Sequence, residues 1–313
     1  MNRGGPPLDL LLAEAGVGSV AVGWSSCGGG CIADVRRVRL AAGRTFVVKI
    51  FSRSGSDPTG FNSRAHEEAA GLAAIAASGS VWVPEVIGIG DSDDHVMLVL
   101  EDLGEATRAT ESDWSDFGVR LAELHAGVDA VPFGFDHDNH LGHTRQDNSP
   151  SEDSSNWSDF LRQRRLGPMR RRLEDAGLLD SIDRDLLERL EEGLAGIIPA
   201  GIRPSLLHGD LWSGNVHPTE QRGIVVIDPA TFHGDPLFDL GMMRLFGGFP
   251  RGCETSYFDR LVEIRGADAL DAAEVRIELG RLHHLMNHWL LFGAGYAHNA
   301  RRTASGLVSK ISR

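Results

Sequence analysis

The stretch LLHGDLWSGNV, Leu206–Val216, sets an imidazole, a carboxylate, an indole and an amide between apolar residues, and a second apolar run, GIVVIDPA, Gly223–Ala230, follows close behind. Ser205–Leu207 reads as a short apolar strand, His208–Asn215 as a loop, and Ile224–Ile227 as a second short strand that delivers Asp228 at its end. On that reading Asp210, Asn215 and Asp228 converge at the ends of two strands. A carboxylate can accept the proton of a hydroxyl, while an amide oxygen and a second carboxylate are hard donors suited to Mg²⁺. The alternative for the same residues is local, Asx turns that cap backbone groups of a loop. His208 precedes the loop glycine and is expected to orient the backbone.

Residues further upstream favour the chemical reading. Asn215 follows Asp210 by five residues and Asp228 follows it by eighteen, the order of catalytic loop and metal ligands in phosphoryl-transfer enzymes of the kinase type. Gly28, Gly29 and Gly30 would let backbone N–H groups approach a phosphate closely, and Lys49 lies in an alternating strand after them. A lysine in that role is held by a helix carboxylate, and Glu68 of HEEAAGL is expected to serve rather than neighbouring Glu67. LVLEDL, Leu98–Leu103, is the candidate strand and linker whose backbone, from Glu101 to Leu103, receives an adenine. Each feature alone is commonplace: a triple glycine is usually a turn and a strand lysine is usually solvated. Their order in one chain selects catalysis.

The wider pattern predicts an α+β, two-lobed fold. AVGWSSCGGGCIADVRRVRL reads as one strand and RTFVVKIF as a second, joined by a turn at Ala41–Arg44; SRAHEEAAGLAAIAAS reads as a helix. VWVPEVIGIG and HVMLVLEDLG read as two more strands, ended by glycine or acidic residues. These make a small glycine-rich N-lobe, residues 1–103, with one main helix. From 104 to 313 helical spacing dominates, over Trp114–His125, Trp157–Ala176, Ile182–Ile197, Thr255–Ile264 and Asp271–Phe292, and predicts a larger, mainly helical C-lobe. The segment from 131 to 156 is polar, rich in Gly, Asn and His, and reads as a long functional or disordered loop.

Composition narrows the partners. The chain has 313 residues, 42% hydrophobic, with 44 acidic against 31 basic side chains and a formal net charge of −13, which argues against nucleic acid and anionic membrane surfaces. The basic run FLRQRRLGPMRRRL, Phe160–Leu173, reads as a solvated helix face, with the border of a nucleotide or anionic substrate as the alternative. The first residues carry too short and too charged an apolar run for a signal peptide, and no run is long enough to span a bilayer. Cys27, Cys31 and Cys253 form an odd set without CxxC spacing. A reduced, cytoplasmic protein is expected. His125, His283, His284 and His288 fall on predicted helices without zinc-site spacing, so Mg²⁺ is the one metal expected.

With these residues in view, the sequence resembles the fructosamine (ketosamine) kinases, within the aminoglycoside phosphotransferase-like branch of the protein-kinase-like fold. The resemblance rests on GGCI at Gly29–Ile32, EAAGL at Glu68–Leu72, FGF at Phe133–Phe135, the N-x-LG run Asn139–Gly142, Gln146 and Asn148, HGDLWSGN at His208–Asn215, and DPA at Asp228–Ala230. It extends through LFGGFP at Leu245–Pro250 and LMNHWLLFGAGY at Leu285–Tyr296, so that it spans nearly the whole chain. It implies ATP-dependent phosphorylation of a sugar hydroxyl on a ketoamine, free or as glycated lysine on a protein, a deglycation activity. It implies Asp210 as base, Asn215 and Asp228 on Mg²⁺, Lys49 on phosphate, and Asp239 as a structural anchor of the catalytic loop. Trp212, Asn139, Gln146 and Asn287 are candidates to line a sugar pocket, with packing or capping the alternative. FHGDPLFDLGMM, Phe232–Met243, departs from the Gly-His-Arg-Glu-Ala-Asp-Leu type of segment of that family and follows the broader phosphotransferase pattern. The alternatives are therefore an aminoglycoside, choline or other amino-alcohol phosphotransferase, and a non-catalytic nucleotide-binding relative. Some relatives carry a cysteine where Cys31 stands, which implies redox sensitivity of the glycine loop; an intramolecular bond to Cys27, or an intermolecular bond through Cys31 that would give a covalent dimer beside the monomer, are the forms it could take, and an inert inward thiol is the alternative.

Overall fold

The computed structural model describes residues 7–18, 20–27, 33–52, 64–126, 131–151 and 156–311. Its first half is built on α1 (Leu8–Glu14), β1 (Ala21–Ser26), β2 (Asp34–Leu40), β3 (Thr45–Ser52), α2 (Arg64–Ser78), β4 (Val86–Asp91) and β5 (His95–Glu101). The five strands form one antiparallel sheet in the order β1-β2-β3-β5-β4. What reads in sequence as one long first strand is thus two, β1 and β2, paired on either side of the glycine tract. Gly28, Gly29, Gly30 and Cys31 lie outside the described residues.

Strand alternation explains why the runs TFVVKIF and HVMLVLE are almost wholly apolar. Phe46, Val48, Ile50, Met97 and Val99 face one way, into a core closed by Leu11 and Leu12 of α1. Phe51, Val96, Leu98 and Leu100 face the other way, against Leu72 and Ile75 of α2. With period two, Lys49 falls on the α2 side. The second helix layer, α1, is absent from the sequence reading, and it explains a glycine taken there as a strand end: a Cβ at Gly90 would stand 1.9 Å from the Leu11 carbonyl oxygen. Gly90 therefore lets a helix lie on the sheet.

The second half comprises α3 (Glu111–Ala126), the hairpin β6 (Asn139–Leu141) and β7 (Thr144–Gln146), α4 (Trp157–Phe160), a π-helical turn (Leu161–Leu166), α5 (Gly167–Asp175), α6 (Ser181–Ile197) and β8 (Ser205–Leu207). After a 3₁₀ turn (Ser213–Asn215) come β9 (Val216–Thr219), β10 (Gly223–Val226), β11 (Phe232–Gly234), α7 (Phe238–Phe246), α8 (Arg251–Arg265), α9 (Ala273–Phe292) and α10 (Ala297–Ile311). β8 pairs with β11 and β9 with β10, both antiparallel. The segment read as a long loop contains the β6–β7 hairpin, with Asn139, Gln146 and Asn148 buried. Helices α7 and α10 are further elements that the sequence reading lacks: α7 has only nine residues, and the buried stripe of α10 is built largely of the small residues Ala297, Ala300, Thr303 and Ala304.

One apolar core is confined to the helical half, between α6, α9 and α10. Another crosses between halves, joining Leu72, Ile75 and Leu98 to Phe117 and Leu121 of α3, Leu206, Leu211, Val226 and Tyr257. The basic run does not border the cleft described below. Arg165 is buried with its guanidinium 4.1 Å from the Phe232 ring centroid, and Arg170 pairs with Glu191 at 2.8 Å. Cys253 is buried, which pushes its thiol up to about 12, and both Cys27 and Cys253 are free. No helix among the described residues is long and apolar enough to cross a membrane.

Candidate active site

The loop after β8 is held from beneath by buried acceptors. Asp239, on the first turn of α7, accepts from the His208 N–H at 2.8 Å and the Gly209 N–H at 2.9 Å. Its carboxylate also meets His125 Nε2 at 3.2 Å, and His125 Nδ1 meets Tyr257 Oη at 2.8 Å. Tyr257 in turn donates to the Pro236 carbonyl at 2.9 Å. Burial opposes ionisation of Asp239, but the bonds from His125 and the Gly209 N–H outweigh it and hold the carboxyl below its usual range. His208 spans the loop: Nε2 lies 3.0 Å from the Ile227 carbonyl and Nδ1 3.3 Å from the Asp210 N–H. A carbonyl only accepts and a backbone N–H only donates, so the ring is the neutral Nε2–H tautomer. Burial, which lowers its basicity, agrees.

Asp210 and Asn215 are thereby brought together. Asn215 Nδ2 donates to the Asp210 carbonyl at 2.8 Å and to Asp210 Oδ2 at 3.3 Å. Burial first, then the Asp228 charge, push the Asp210 carboxyl up to about 7. Asp228 follows β10 in the left-handed backbone region, φ 56°, which turns its side chain away from the strand direction and toward the cleft. Lys49, buried on β3, donates to Glu68 Oε1 at 2.7 Å and also pairs with Asp228. Burial works against the ammonium, but the two carboxylates outweigh it and raise its pKa above the usual lysine value. Glu67 points elsewhere, to His140 Nδ1 at 2.8 Å.

These groups line one cleft of about 250 Å³, together with Val35, Phe51, Arg64, Asn139, Gly142 and Trp212. Trp212 is partly exposed and leans on Phe246, ring centroids 5.8 Å apart. Gln146 and Asn287, read as pocket candidates, are not in the cleft wall: both are buried behind it. Asn139 donates to the Thr231 carbonyl at 2.7 Å, Gln146 donates to Asn139 Oδ1 at 2.9 Å, and Asn287 donates to the Leu141 carbonyl at 3.4 Å. At the other candidate contact, the Glu101 N–H is taken by the Glu85 carbonyl at 2.9 Å and its carboxylate by Arg222 Nη1 at 2.9 Å. Leu103 follows at the junction of the halves.

Sequence reasoning missed three participants. His125 closes the LAEL run of α3 and looks like any helix histidine until Asp239 is beside it. Tyr257 and Arg276 give no local signal at all. Arg276 of α9 donates to both oxygens of Asp235 at 2.7 and 2.8 Å, with both side chains buried, and it is this pair that occupies the departing GDP segment.

An antiparallel sheet with a packed helix, joined to a mainly helical half that carries the Asp210 loop, is the architecture of the kinase-like phosphotransferases. A crystal structure of a thermostable mutant of aminoglycoside phosphotransferase APH(4)-Ia, in ternary complex with ADP and hygromycin B, shares it, with a TM-score of 0.58 at 17% identity over 96% of each chain. The chain belongs to the fructosamine kinase family, whose sequence model matches residues 11–310. It is 33% identical over 319 residues to ketosamine-3-kinase of Mus musculus, covering 92% of this chain and 95% of that one. It is 32% identical over 302 residues to the chloroplastic protein-ribulosamine 3-kinase of Oryza sativa subsp. indica, covering 95% and 82%. A crystal structure of a Thermobifida fusca protein of the fructosamine-3-kinase type superposes with a TM-score of 0.80 at 30% identity, over 95% and 96% of the two chains.

Proposed function

We propose that the protein is an ATP-dependent kinase that phosphorylates a sugar hydroxyl of a ketoamine, either free or formed on a lysine of a protein. The observation that carries this reading is the convergence of Lys49, Glu68, Asp210, Asn215 and Asp228 in one cleft. Residues 1–103 would form the nucleotide-binding lobe and residues 104–313 the lobe for catalysis and acceptor binding, with the adenine against the Glu101–Leu103 backbone.

Asn215 and Asp228 suit Mg²⁺. Asn215 spends its Nδ2 on Asp210, so its amide oxygen is the group left to coordinate, and Asp228 offers a carboxylate that already attracts a cation, Lys49. Two protein oxygens would leave the remaining coordination positions of such an ion to the nucleotide and water. Bound Mg-ATP supplies the phosphoryl group and the charge neutralisation its transfer needs. Lys49, fixed by Glu68, pairs with phosphate oxygens. Asp210 accepts the proton of the acceptor hydroxyl, and Asp239 with His208 holds the loop so that this carboxylate faces the cleft.

The test is an ATP-consumption screen over fructosyl- and ribulosyl-lysine, the parent sugars and amines, aminoglycosides and choline-like alcohols. Ketoamines are expected to be turned over in preference to either parent, because polar groups that pair with both halves are left unpaired when one is missing. Equal efficiency on an aminoglycoside or amino alcohol would replace the ketoamine as substrate.

A further inference from the structure

The β6–β7 hairpin touches both halves of the molecule. On the helical side Asn139 holds the Thr231 carbonyl, Gln146 holds Asn139, and the His283 ring of α9 stands 3.3 Å from Gln146 Oε1. Asn287, one turn further along α9, holds the Leu141 carbonyl. The hairpin is therefore tied along its length to α9, and at Asn139 to the segment that follows Asp228. Its middle residue His140 and its turn also reach the opposite lobe. His140 Nδ1 meets Glu67 Oε2 at 2.8 Å, and Arg64 Nη1 donates to the Gly142 carbonyl at 2.7 Å.

Both contacts land on the first turns of α2, the helix that carries Glu68. Glu67 is buried, and a buried carboxyl group needs a hydrogen-bond partner, which His140 provides. Further along, α2 rests on the Asp228 segment: a Cβ at Gly71 would stand 2.8 Å from Thr231 Oγ1. The helix is thus held at its start by the hairpin and at its middle by the segment beyond the metal ligand. Glu68 lies between these two supports, so a shift of the first turns would carry its carboxylate away from Lys49.

We propose that Glu67 and His140 form a latch between the two lobes that holds α2 in place, making them positioning residues for the Lys49–Glu68 pair. Glu67 and His140 do not touch Lys49; they act through the helix. Arg64, bonded to the Gly142 carbonyl, is the second strut of the same latch. The inference rests on the kinase reading for its meaning, but its first readout needs neither nucleotide nor acceptor.

The experiment is hydrogen exchange of the ligand-free full chain, read over the α2 segment, in Glu67→Ala, His140→Ala, the double variant and His140→Asn. Asn keeps a side-chain N–H near the place of Nδ1. Each alanine variant is expected to exchange roughly tenfold faster in α2 with α9 unchanged, the double variant no faster than the singles, and His140→Asn close to wild type. MgAMP-PNP affinity, measured by calorimetry on the same proteins, should weaken in the same order. Unchanged α2 exchange, or a double variant whose effect is the product of the singles, overturns the latch. So does an effect confined to the KM of the ketoamine, which would make His140 a contact of the acceptor. Faster exchange in α9 as well would reduce both residues to general packing. Failure of the ketoamine screen would leave the exchange result standing, so the two readings fail separately.

Discussion

Asp210 sits where its loop backbone is bonded by Asp239 and His208 and its own side chain by Asn215 Nδ2. Replacing it by Asn preserves size and most of these bonds while removing the proton acceptor. Asp210→Asn is therefore expected to lower kcat by about three powers of ten with Mg-nucleotide affinity retained, measured by steady-state kinetics and calorimetry. Near-wild-type turnover would take the base role from this carboxylate. Much of this arrangement is legible from residue types and spacing alone, because Asp210 and Asn215 share one short loop and Asp228 follows a hairpin, β9–β10, short enough to return the chain to that loop. The choice between Glu67 and Glu68 is different in kind. Adjacent helix residues differ by about 100° around the axis, and only the docking of α2 directs one carboxylate to Lys49 and the other to His140.

Where α7 crosses α9, two glycines face each other. A Cβ at Gly280 would lie 2.4 Å from the Phe238 carbonyl oxygen, and one at Gly241 would lie 2.3 Å from the Arg281 N. Both obstacles are backbone, so neither helix can yield by a rotamer change. Gly280→Ala should destabilise by roughly 1–3 kcal/mol in denaturant unfolding, despite the better helix propensity of Ala. Because Asp239 starts α7, the same variant should also lower kcat; full stability would show that the helices can part cheaply. Helix α6 offers a pH test. Asp183, third residue of a capping box with Asp180, also accepts from Arg301 at 2.6 and 2.7 Å. The Arg301 bond is the main reason its carboxyl sits below the usual range. A depressed folded pKa contributes stability that is present above the unfolded value, about 3.9, and is lost as pH falls through the folded one. Arg301 is half exposed, so Arg301→Ala should cost only about 1 kcal/mol at neutral pH, and less on acidification below about pH 4. A difference independent of pH would assign the loss to packing on Trp289.

The two halves share an apolar core and also face each other across the cleft, so a ligand that touches both should stabilise the whole chain. If Asp228 and Asn215 hold the cation, MgAMP-PNP at about 100 times its Kd should add about 2.7 kcal/mol of stability, seen as a rise in Tm. EDTA with the same nucleotide should remove most of it, since the phosphates would then meet the Asp210 and Asp228 carboxylates unshielded. A rise that survives EDTA would mean binding without the metal.

The sequence by itself determined the α+β division, the apolar strands, the helical texture after residue 104, and the order of the glycines, Lys49, the Asp210 loop and Asp228, because these depend on local periodicity and on short spacings. It also carried the family, through motifs spread along the chain. It did not reveal α1 lying on the sheet, the hairpin within 131–156, the burial of Gln146 and Asn287, or the Arg276–Asp235 and Tyr257–His125–Asp239 contacts. Asp235 and Arg276 are 41 residues apart and His125 and Asp239 are 114 apart. Contacts at such separations form only when whole helices dock, and the surface against which each helix is buried is chosen by packing rather than by its own spacing of apolar residues.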